Sequence, residues 1–354
     1  MSPAAGPSTT HRRGGIEDAA DALWEAPSVV CATHERSDGD ALSAIALALA
    51  CRTMGKEAAA LHDFPPTYDW LLQSSGPWLS VPSVAPGAFV VTLDTAHYAR
   101  IAWPKEVGER VQGLVAAHGS EALVPLSAYD DIVPVALVID HHVTNRAYGL
   151  LNWIEPERSA VAEMVCDLLL ELERRAGCRL VDGDVARLLF VGLVTSTAWF
   201  QQDTGDHTWE TALLLDRRGR FDKAALAAGL DHMSLAHYRL TGELRQAVRV
   251  DDRVAHAYID RATLERYGVT SVEAAAFVDD LEKVGADITL LFVEMEAGGV
   301  RVRLRSPRFP MHTLAQQFGG GGHERASGTV VAGRDEADGL VMAAREMVRV
   351  GPGA

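Results

Sequence analysis

The chain has 354 residues, more than one domain usually contains, so its length predicts two domains that each bury a core. A hydrophobic fraction of 48% with 23% charged residues is typical of a soluble globular protein, and no apolar run reaches the roughly 20 residues that cross a bilayer. The net charge of −15 opposes binding to a long polyanion, so we expect neither a membrane nor a long nucleic acid as partner.

The chain begins with MSPAAGPSTTHRRGG, residues 1–15. This stretch lacks the apolar segment of a secretory signal. We therefore expect a disordered tail over these residues and a cytoplasmic protein.

Four apolar runs in the N-terminal part predict buried strands. They are SVVCAT at 28–33, EAAALH at 57–62, FVVTLD at 89–94 and VALVID at 135–140. An Ala/Leu-rich helix follows the first run and ends near Gly55, and helical or loop segments separate the other runs. Continuous apolar strands alternating with helices predict an α/β fold, with a parallel sheet covered on both faces.

Helical patterns continue from Ser159 to about Arg218, and a second strand-bearing region begins near Arg253. There the segment SVEAAAFVDDLEKVG predicts a helix, and DITLLFVEME and VRVRLRS predict a hairpin across Ala297–Gly299. The predicted organisation is a tail at 1–15, a first domain at 16–215, a helical linker at 216–245 and a smaller α/β domain at 246–354.

Residue types that bind metal ions follow three of the predicted strands. They are His34, Asp38 and Asp40 after the first strand, Asp94 at the end of the third, and Asp140, His141 and His142 at the end of the fourth. The carboxyl ends of parallel strands open onto one edge of a sheet, so we expect these side chains to converge. Each piece alone is typical of a turn, helix cap or polar loop end. Their conjunction predicts a metal centre, and carboxylate and imidazole donors favour manganese, magnesium or iron.

Four segments resemble motifs of the DHH phosphoesterase family. HERSDGDA resembles the first motif, LDTAHYAR the second, and IDHHVTN the motif that names the family. FGGGGHERASG, Phe318–Gly328, resembles the glycine-histidine signature of the DHH-associated C-terminal domain, and RLRS before it resembles an arginine-bearing strand. Together they cover nearly the whole chain after the tail. The arrangement is most similar to bacterial proteins that degrade very short RNAs and dephosphorylate phosphoadenosine phosphate.

The resemblance implies a bilobal fold with the active site in the cleft, and usually two manganese ions. It implies that His34 and Asp38 hold one ion, that Asp40 and His141 hold the other, and that Asp94 bridges them. It also implies catalytic roles for Asp94, Asp140 and His142, with His142 facing the substrate phosphate. The first domain would then be catalytic and the last would bind substrate.

The resemblance also indicates substrate-binding residues. Arg100 stands at the arginine that follows the second motif, and Arg303 and Arg305 alternate along a predicted strand and so share one face. Guanidinium groups bind phosphate oxygens in pairs. A glycine run alone is typical of a turn, but next to these arginines it predicts further anchors, namely Gly320, Gly321, Gly322 and His323.

The chain departs from the family in the fourth motif. The segment reads GLVTSTAWF, so Ser196 stands where a metal-binding Asp is expected. Serine is a weak ligand, and its presence predicts a weaker ion near Asp40 and His141. Three interpretations stay open. Ser196 or water completes the coordination shell of the second ion, Asp203 or Asp206 replaces the missing carboxylate, or the enzyme works with one firmly held ion. The first motif also carries Ser37 in place of a usual proline.

The sequence therefore predicts a phosphoesterase that uses one or two Mn²⁺ ions, with Mg²⁺ or Fe²⁺ as alternatives. The expected substrate is a small nucleotide or short single-stranded oligonucleotide, such as nanoRNA, phosphoadenosine phosphate or a cyclic-dinucleotide product. A homodimer is compatible with the sequence. Two alternatives stay open: a specialised phosphohydrolase of a biosynthetic pathway, and a degenerate nucleotide-binding protein, which Ser196 favours.

Overall fold

The computed structural model describes residues 11–73, 84–85, 87–201, 204–322 and 324–351. The chain divides into two compact units, Met1–Asp231 and His232–Ala354. The division falls within the 216–245 stretch, which consists of helices and short connections. Among the described residues, no helix combines the length and the apolar character that crossing a membrane requires.

A parallel sheet forms the centre of the first unit. Its strands are β1 (Arg12–Arg13), β2 (Ser28–Ala32), β3 (Glu57–Leu61), β4 (Phe89–Leu93), β5 (Leu137–Asp140) and β6 (Leu151–Ile154). They lie in the order β1-β6-β5-β4-β2-β3, and every neighbouring pair is parallel. The predicted parallel sheet is confirmed, and β2 to β5 fall within the four apolar runs of the sequence.

The edge formed by β1 and β6 departs from the sequence prediction. Arg12–Arg13 pair in parallel with β6, and the His11 ring bonds to the carbonyl of Gly149 at 2.9 Å. Part of the predicted tail at 1–15 is therefore an ordered edge strand, while residues 1–10 lie outside the described part of the chain. Two exposed arginines that pair through their backbone carry no apolar pattern from which a strand could be predicted.

Helices cover both faces of this sheet. They are α1 (Ile16–Glu25), α2 (Leu42–Thr53), α3 (Asp69–Gln73), α4 (Lys105–His118), α5 (Ser127–Asp130), α6 (Val161–Ala176), α7 (Gly183–Ser196), α8 (Asp206–Gly219) and α9 (Lys223–Leu230). Cys31 and Leu93 enter a core with α1, α2, α6 and α7, whereas Val30 and Val90 enter a second core that contains Tyr98. Alternate side chains are thus buried on opposite faces, which explains the continuous apolar runs.

The second unit is built on a mixed sheet. Its strands are β7 (Arg249–Asp251), β8 (Val254–Ile259), β9 (Ile288–Glu294), β10 (Val300–Arg305), β11 (Gly321–Gly322) and β12 (Ala326–Val331), in the order β11-β12-β10-β9-β8-β7. The β8–β9 pair is parallel and the others are antiparallel. The predicted hairpin is confirmed, since β9 and β10 pair directly.

The helices of the second unit complete its core. They are α10 (Leu235–Ala247), α11 (Arg261–Tyr267), α12 (Ser271–Ala274), α13 (Val278–Glu282), α14 (Met311–Gln317) and α15 (Arg334–Val350). The single helix predicted from SVEAAAFVDDLEKVG is divided by a 3-10 turn at Ala275–Phe277. Leu281 and Phe277 of this stretch are buried against the strands, so packing determines the local backbone.

The strand order positions the candidate site in the first unit. β5, β4 and β2 are neighbours, so their carboxyl ends open onto one edge of the sheet. The backbone N–H of Asp94 donates to the carbonyl of Ile139 at 3.1 Å, which joins the ends of β4 and β5. The loops that follow these three strands carry the metal-binding residue types.

Candidate metal centre

Side chains from the loops after β2, β4 and β5 meet at this edge. His34 Nε2 lies 3.6 Å from Asp94 Oδ2 and 3.9 Å from Asp38 Oδ1. On the other side, His141 Nε2 and His142 Nδ1 each lie 3.7 Å from Asp94 Oδ1. These separations exceed those of hydrogen bonds. The imidazoles therefore surround the Asp94 carboxylate without bonding to it.

The cluster contains two groups of three donors. His34, Asp38 and Asp94 form one, and Asp94, His141 and His142 form the other, with the ligand atoms of each group within 4.8 Å of one another. Asp94 belongs to both groups. Oxygen and imidazole donors at this spacing fit one or two hard or borderline cations such as Mn²⁺.

Main-chain carbonyls orient two of the imidazoles. His34 Nδ1 bonds to the carbonyl of Glu35, and His141 Nδ1 bonds to that of Arg158, both at 2.9 Å. Because Nδ1 is engaged, Nε2 of each ring is left to face Asp94 as a ligand atom. Sequence reasoning missed Arg158, since a backbone carbonyl has no residue-type signal.

Hydrogen bonds to the next residue, Thr95, fix the turn that carries Asp94. Asp94 has a left-handed φ of 54°, a conformation that Asp tolerates better than most residues. The amide of Asn145 and the hydroxyl of Tyr148 both donate to the carbonyl of Thr95, at 3.1 and 2.8 Å. Tyr148 was not predicted, and its aromatic type alone would have indicated only a core position.

Asp40 has a different environment from the other acids. Its Oδ2 accepts from the N–H of Val161 at 2.7 Å and its Oδ1 from that of Ala162 at 2.9 Å, so it caps the start of α6. Oδ2 also lies 4.0 Å from His141 Nε2. Burial and the neighbouring carboxylates raise the pKa of Asp40. The side chain thus links α6 to the cluster, and a bound cation would favour its ionised form.

Asp140 and His142 form a hydrogen-bonded pair. His142 Nδ1 lies 2.8 Å from Asp140 Oδ1, and Asn145 donates to Asp140 Oδ2 at 2.5 Å. Burial opposes protonation of the imidazole, but the Asp140 carboxylate outweighs it and raises the pKa of His142 to about 9. Without a bound ion, His142 is therefore a cation at neutral pH, held beside Asp94.

Comparisons with known proteins show what the chain is similar to. Residues 251–349 match the model of the DHHA1 domain. The chain is 28% identical over 312 residues to the bifunctional oligoribonuclease and PAP phosphatase NrnA of Thermus thermophilus. The match covers 87% of this chain and 85% of that protein. The chain thus carries a match to the DHHA1 domain and resembles NrnA proteins, in agreement with its DHH-type motifs.

Two further proteins are similar to the chain. The chain is 33% identical over 202 residues to NrnA of Bacillus subtilis, and the match covers 56% of this chain and 64% of that protein. An exopolyphosphatase-related protein from Bacteroides fragilis superposes with a TM-score of 0.76 at 20% identity, over 94% of this chain and 95% of that one. The latter similarity concerns the fold.

The departure from the DHH family at Ser196 lies next to the cluster. Ser196 ends α7, and its hydroxyl donates to the carbonyl of Ser159 at 2.9 Å. Thr195 packs so closely on Gly39 that a Cβ there would lie 2.0 Å from Thr195 Oγ1. The end of α7 is therefore packed against the Asp38–Asp40 loop, and the neutral Ser196 hydroxyl is used in a backbone hydrogen bond.

Asp203 and Asp206 are the two acids that could replace the carboxylate missing at Ser196. Asp206 is the exposed first residue of α8 and belongs to neither group of ligand atoms. Asp203 lies outside the described residues. The geometry therefore does not favour Asp206 as a replacement ligand.

The arginines predicted to bind substrate lie in both units. In the first, Arg100 Nε lies 3.8 Å from Glu35 Oε1. In the second, Arg303 and Arg305 share one face of β10, opposite the buried Val302 and Leu304, and Arg305 lies 3.3 Å from Asp279. Their binding of a substrate stays a prediction.

The described glycines of the predicted DHH-associated signature build a close hairpin. A Cβ on Gly320 would lie 2.3 Å from the carbonyl of Gly328, and Gly322 has a φ of 139°. Gly321 pairs with Gly328 between β11 and β12. His323 lies outside the described residues. Packing thus accounts for Gly320 and Gly322, whereas a Cβ on Gly321 would meet no atom within 4 Å. Contact of these glycines with a substrate stays a prediction.

Binding of Mn²⁺ is expected to release protons and to tighten as the pH rises. Burial of His34 opposes its protonation, but the carboxylates of Asp38 and Asp94 outweigh it and raise the pKa of His34 to about 11. The ring is therefore protonated at neutral pH and must lose a proton to bind an ion, so affinity should rise about tenfold per pH unit. Calorimetry in buffers of different ionisation enthalpy measures this release, and ion binding without proton release would contradict the prediction.

Proposed function

We propose that this chain is a metal-dependent phosphoesterase that hydrolyses a phosphate ester of a small nucleotide or short oligonucleotide. The observation that supports it most is the position of Asp94, shared by two groups of ligand atoms at the carboxyl edge of a parallel sheet. Such a pair of groups suits the displacement at a phosphate, in which attacking and leaving oxygens both need stabilisation.

The residues present fit the ions that this chemistry uses. His34, Asp38 and Asp94 would hold one ion, and Asp94 and His141, with Asp40 next to His141, would hold the second. His142, the third member of that second group, would be left to face the substrate. A bound ion of this kind polarises the phosphoryl group and lowers the pKa of water. The donor set supports Mn²⁺, with Mg²⁺ and Fe²⁺ as alternatives.

The chain's own residues supply the remaining functions. Asp140 raises the pKa of His142 and orients its ring, so that the ring can contact a phosphate oxygen or give a proton to the leaving oxygen. Asp40 fixes the start of α6, and Asn145 fixes Asp140 and the Asp94 turn together. We also propose that Arg100 in the first unit binds a substrate phosphate and that, in the second unit, the face of β10 with Arg303 and Arg305 binds substrate.

The relatives indicate the substrate class. Two of them are named oligoribonuclease and PAP phosphatase, which act on short RNA and on phosphoadenosine phosphate. We propose the same class for this chain, together with a cytoplasmic location. In this proposal the catalytic domain spans 16–215 and the substrate-binding domain 246–354, and light scattering would test a homodimer.

A substrate panel tests the proposal. Phosphoadenosine phosphate, two- to four-residue RNAs and cyclic dinucleotides would be incubated with the full chain and Mn²⁺, Mg²⁺ or Fe²⁺. We expect release of phosphate or mononucleotide from at least one of the first two classes with Mn²⁺, and loss of it on chelation. Absence of product with every ion would contradict the proposal.

Ser196 favours a second candidate, a nucleotide-binding protein that has lost turnover. A neutral residue in place of a ligand weakens one ion, and binding can persist where hydrolysis does not. The same panel separates the two, because this candidate predicts calorimetric binding of a nucleotide without product.

A further inference from the structure

Arg36 lies in the loop that supplies the first metal-binding residues, between His34 and Asp38. Asp63 fixes this loop: its Oδ2 accepts from the N–H of Arg36 at 2.8 Å, and its carbonyl accepts from the N–H of Ser37 at 2.9 Å. The Ser37 hydroxyl also donates to the carbonyl of His34 at 2.8 Å. The backbone of Arg36 therefore has a defined place at the rim of the cluster.

The conformation of Arg36 is unusual for its residue type. Its φ is 56°, in the left-handed region that residues with a Cβ adopt at a cost. Glycine would adopt this φ freely, so the backbone by itself does not call for an arginine. The side chain is what distinguishes arginine from glycine here, and it is exposed.

The guanidinium of Arg36 has no carboxylate partner among the described residues, whereas Arg100 nearby lies 3.8 Å from Glu35. The cluster beside it holds the carboxylates of Asp38, Asp40 and Asp94, which repel an approaching phosphate. The positively charged guanidinium of Arg36 would offset that repulsion, and a guanidinium can bind two phosphate oxygens at once.

We propose that Arg36 binds the second, non-reacting phosphate of a substrate that carries two phosphate groups. The reacting phosphate has to reach Asp94, which is buried, whereas Arg36 is exposed in the same loop as His34 and Asp38. Its side chain is therefore available to a second phosphate that stays outside the cluster. The inference rests on the proposed function and adds to it a residue that determines specificity. It makes Arg36 a determinant of the preference for bisphosphorylated nucleotides.

Three substitutions separate the side chain from the backbone. Arg36→Gly removes the guanidinium and favours the left-handed turn, Arg36→Ala removes the guanidinium but keeps a Cβ at the same φ, and Arg36→Lys keeps the charge without the planar guanidinium. The substrates are phosphoadenosine phosphate and adenosine 3′-phosphate, which lacks the second phosphate. The Gly and Ala variants should raise KM for phosphoadenosine phosphate about tenfold with little change in kcat, and Lys should be intermediate.

Arg220 provides a matched control. It is also exposed, also left-handed with a φ of 49°, and follows α8 away from the three loops of the cluster. Arg220→Gly and Arg220→Ala should leave KM unchanged for both substrates. For adenosine 3′-phosphate, the Arg36 variants should match the wild type.

Several results would overturn the assignment. Arg36→Gly with wild-type kinetics would reduce Arg36 to a turn residue, and an equal loss on both substrates would exclude a contact with the second phosphate. If the wild type hydrolyses neither of these substrates nor a short RNA, the proposed function fails. The role of Arg36 is then tested separately by calorimetric binding of phosphoadenosine phosphate to the Mn²⁺-loaded chain. Equal affinity in the wild type and Arg36→Ala would reject that role, and so would the absence of binding by both.

Discussion

Replacement of Asp94 by asparagine is expected to lower kcat by about a thousandfold or more, since a bound ion contributes several kcal/mol and each 1.36 kcal/mol is a factor of ten. Asp94 takes part in both groups of ligand atoms, so one substitution weakens both. Asparagine is preferred to alanine because it keeps the shape and tolerates the φ of 54°. Steady-state hydrolysis of phosphoadenosine phosphate with Mn²⁺ measures the loss.

The control for this experiment is Asp206→Asn. It makes the same chemical change at an exposed residue that belongs to neither group of ligand atoms, so it should keep wild-type activity. Circular dichroism melting of both variants would show that the fold survives. Activity of Asp94→Asn within about tenfold of the wild type would mean that the shared carboxylate is not required, and the proposed mechanism would be rejected.

The central fold could be predicted because burial on both faces leaves a strong pattern. The runs around Val30 and Val90 are continuously apolar since their side chains alternate between two cores. β1 and β6 lie towards one edge of the sheet and were not predicted. Arg12–Arg13 pair through backbone groups, which every residue has, and a strand of two residues contributes no periodicity.

The convergence of the candidate ligands could be anticipated for a related reason. Asp94 and His141 lie at the ends of neighbouring parallel strands, and strand order follows from topology rules more than from residue detail. What could not be predicted are the backbone partners. The amides of Val161 and Ala162 that bind Asp40, and the carbonyl of Arg158 that orients His141, become visible only when α6 is placed beside the sheet.

Ser196→Asp is expected to tighten the weaker of two Mn²⁺ ions on the order of a hundredfold, the upper end of effects seen for residues that support a metal site. A Cβ on Gly192 would lie 3.3 Å from Asp40 Oδ1, and Ser196 follows one helical turn later on the same face of α7. A carboxylate introduced there adds negative charge beside the Asp38–Asp40 loop, and site charge determines affinity for hard cations. Titration of the chelator-treated chain with Mn²⁺ measures both binding steps.

Ser196→Asn isolates the charge in that experiment, because it has the shape of aspartate without its negative charge. Both variants lose the serine hydroxyl that donates to Ser159, so any shared effect reports that hydrogen bond. If only the aspartate variant binds Mn²⁺ more tightly, the second ion is weaker in the natural chain because Ser196 supplies no negative charge. Identical titrations of the two variants would remove that explanation, and Ser196 would then act through Ser159, the residue after the carbonyl that orients His141.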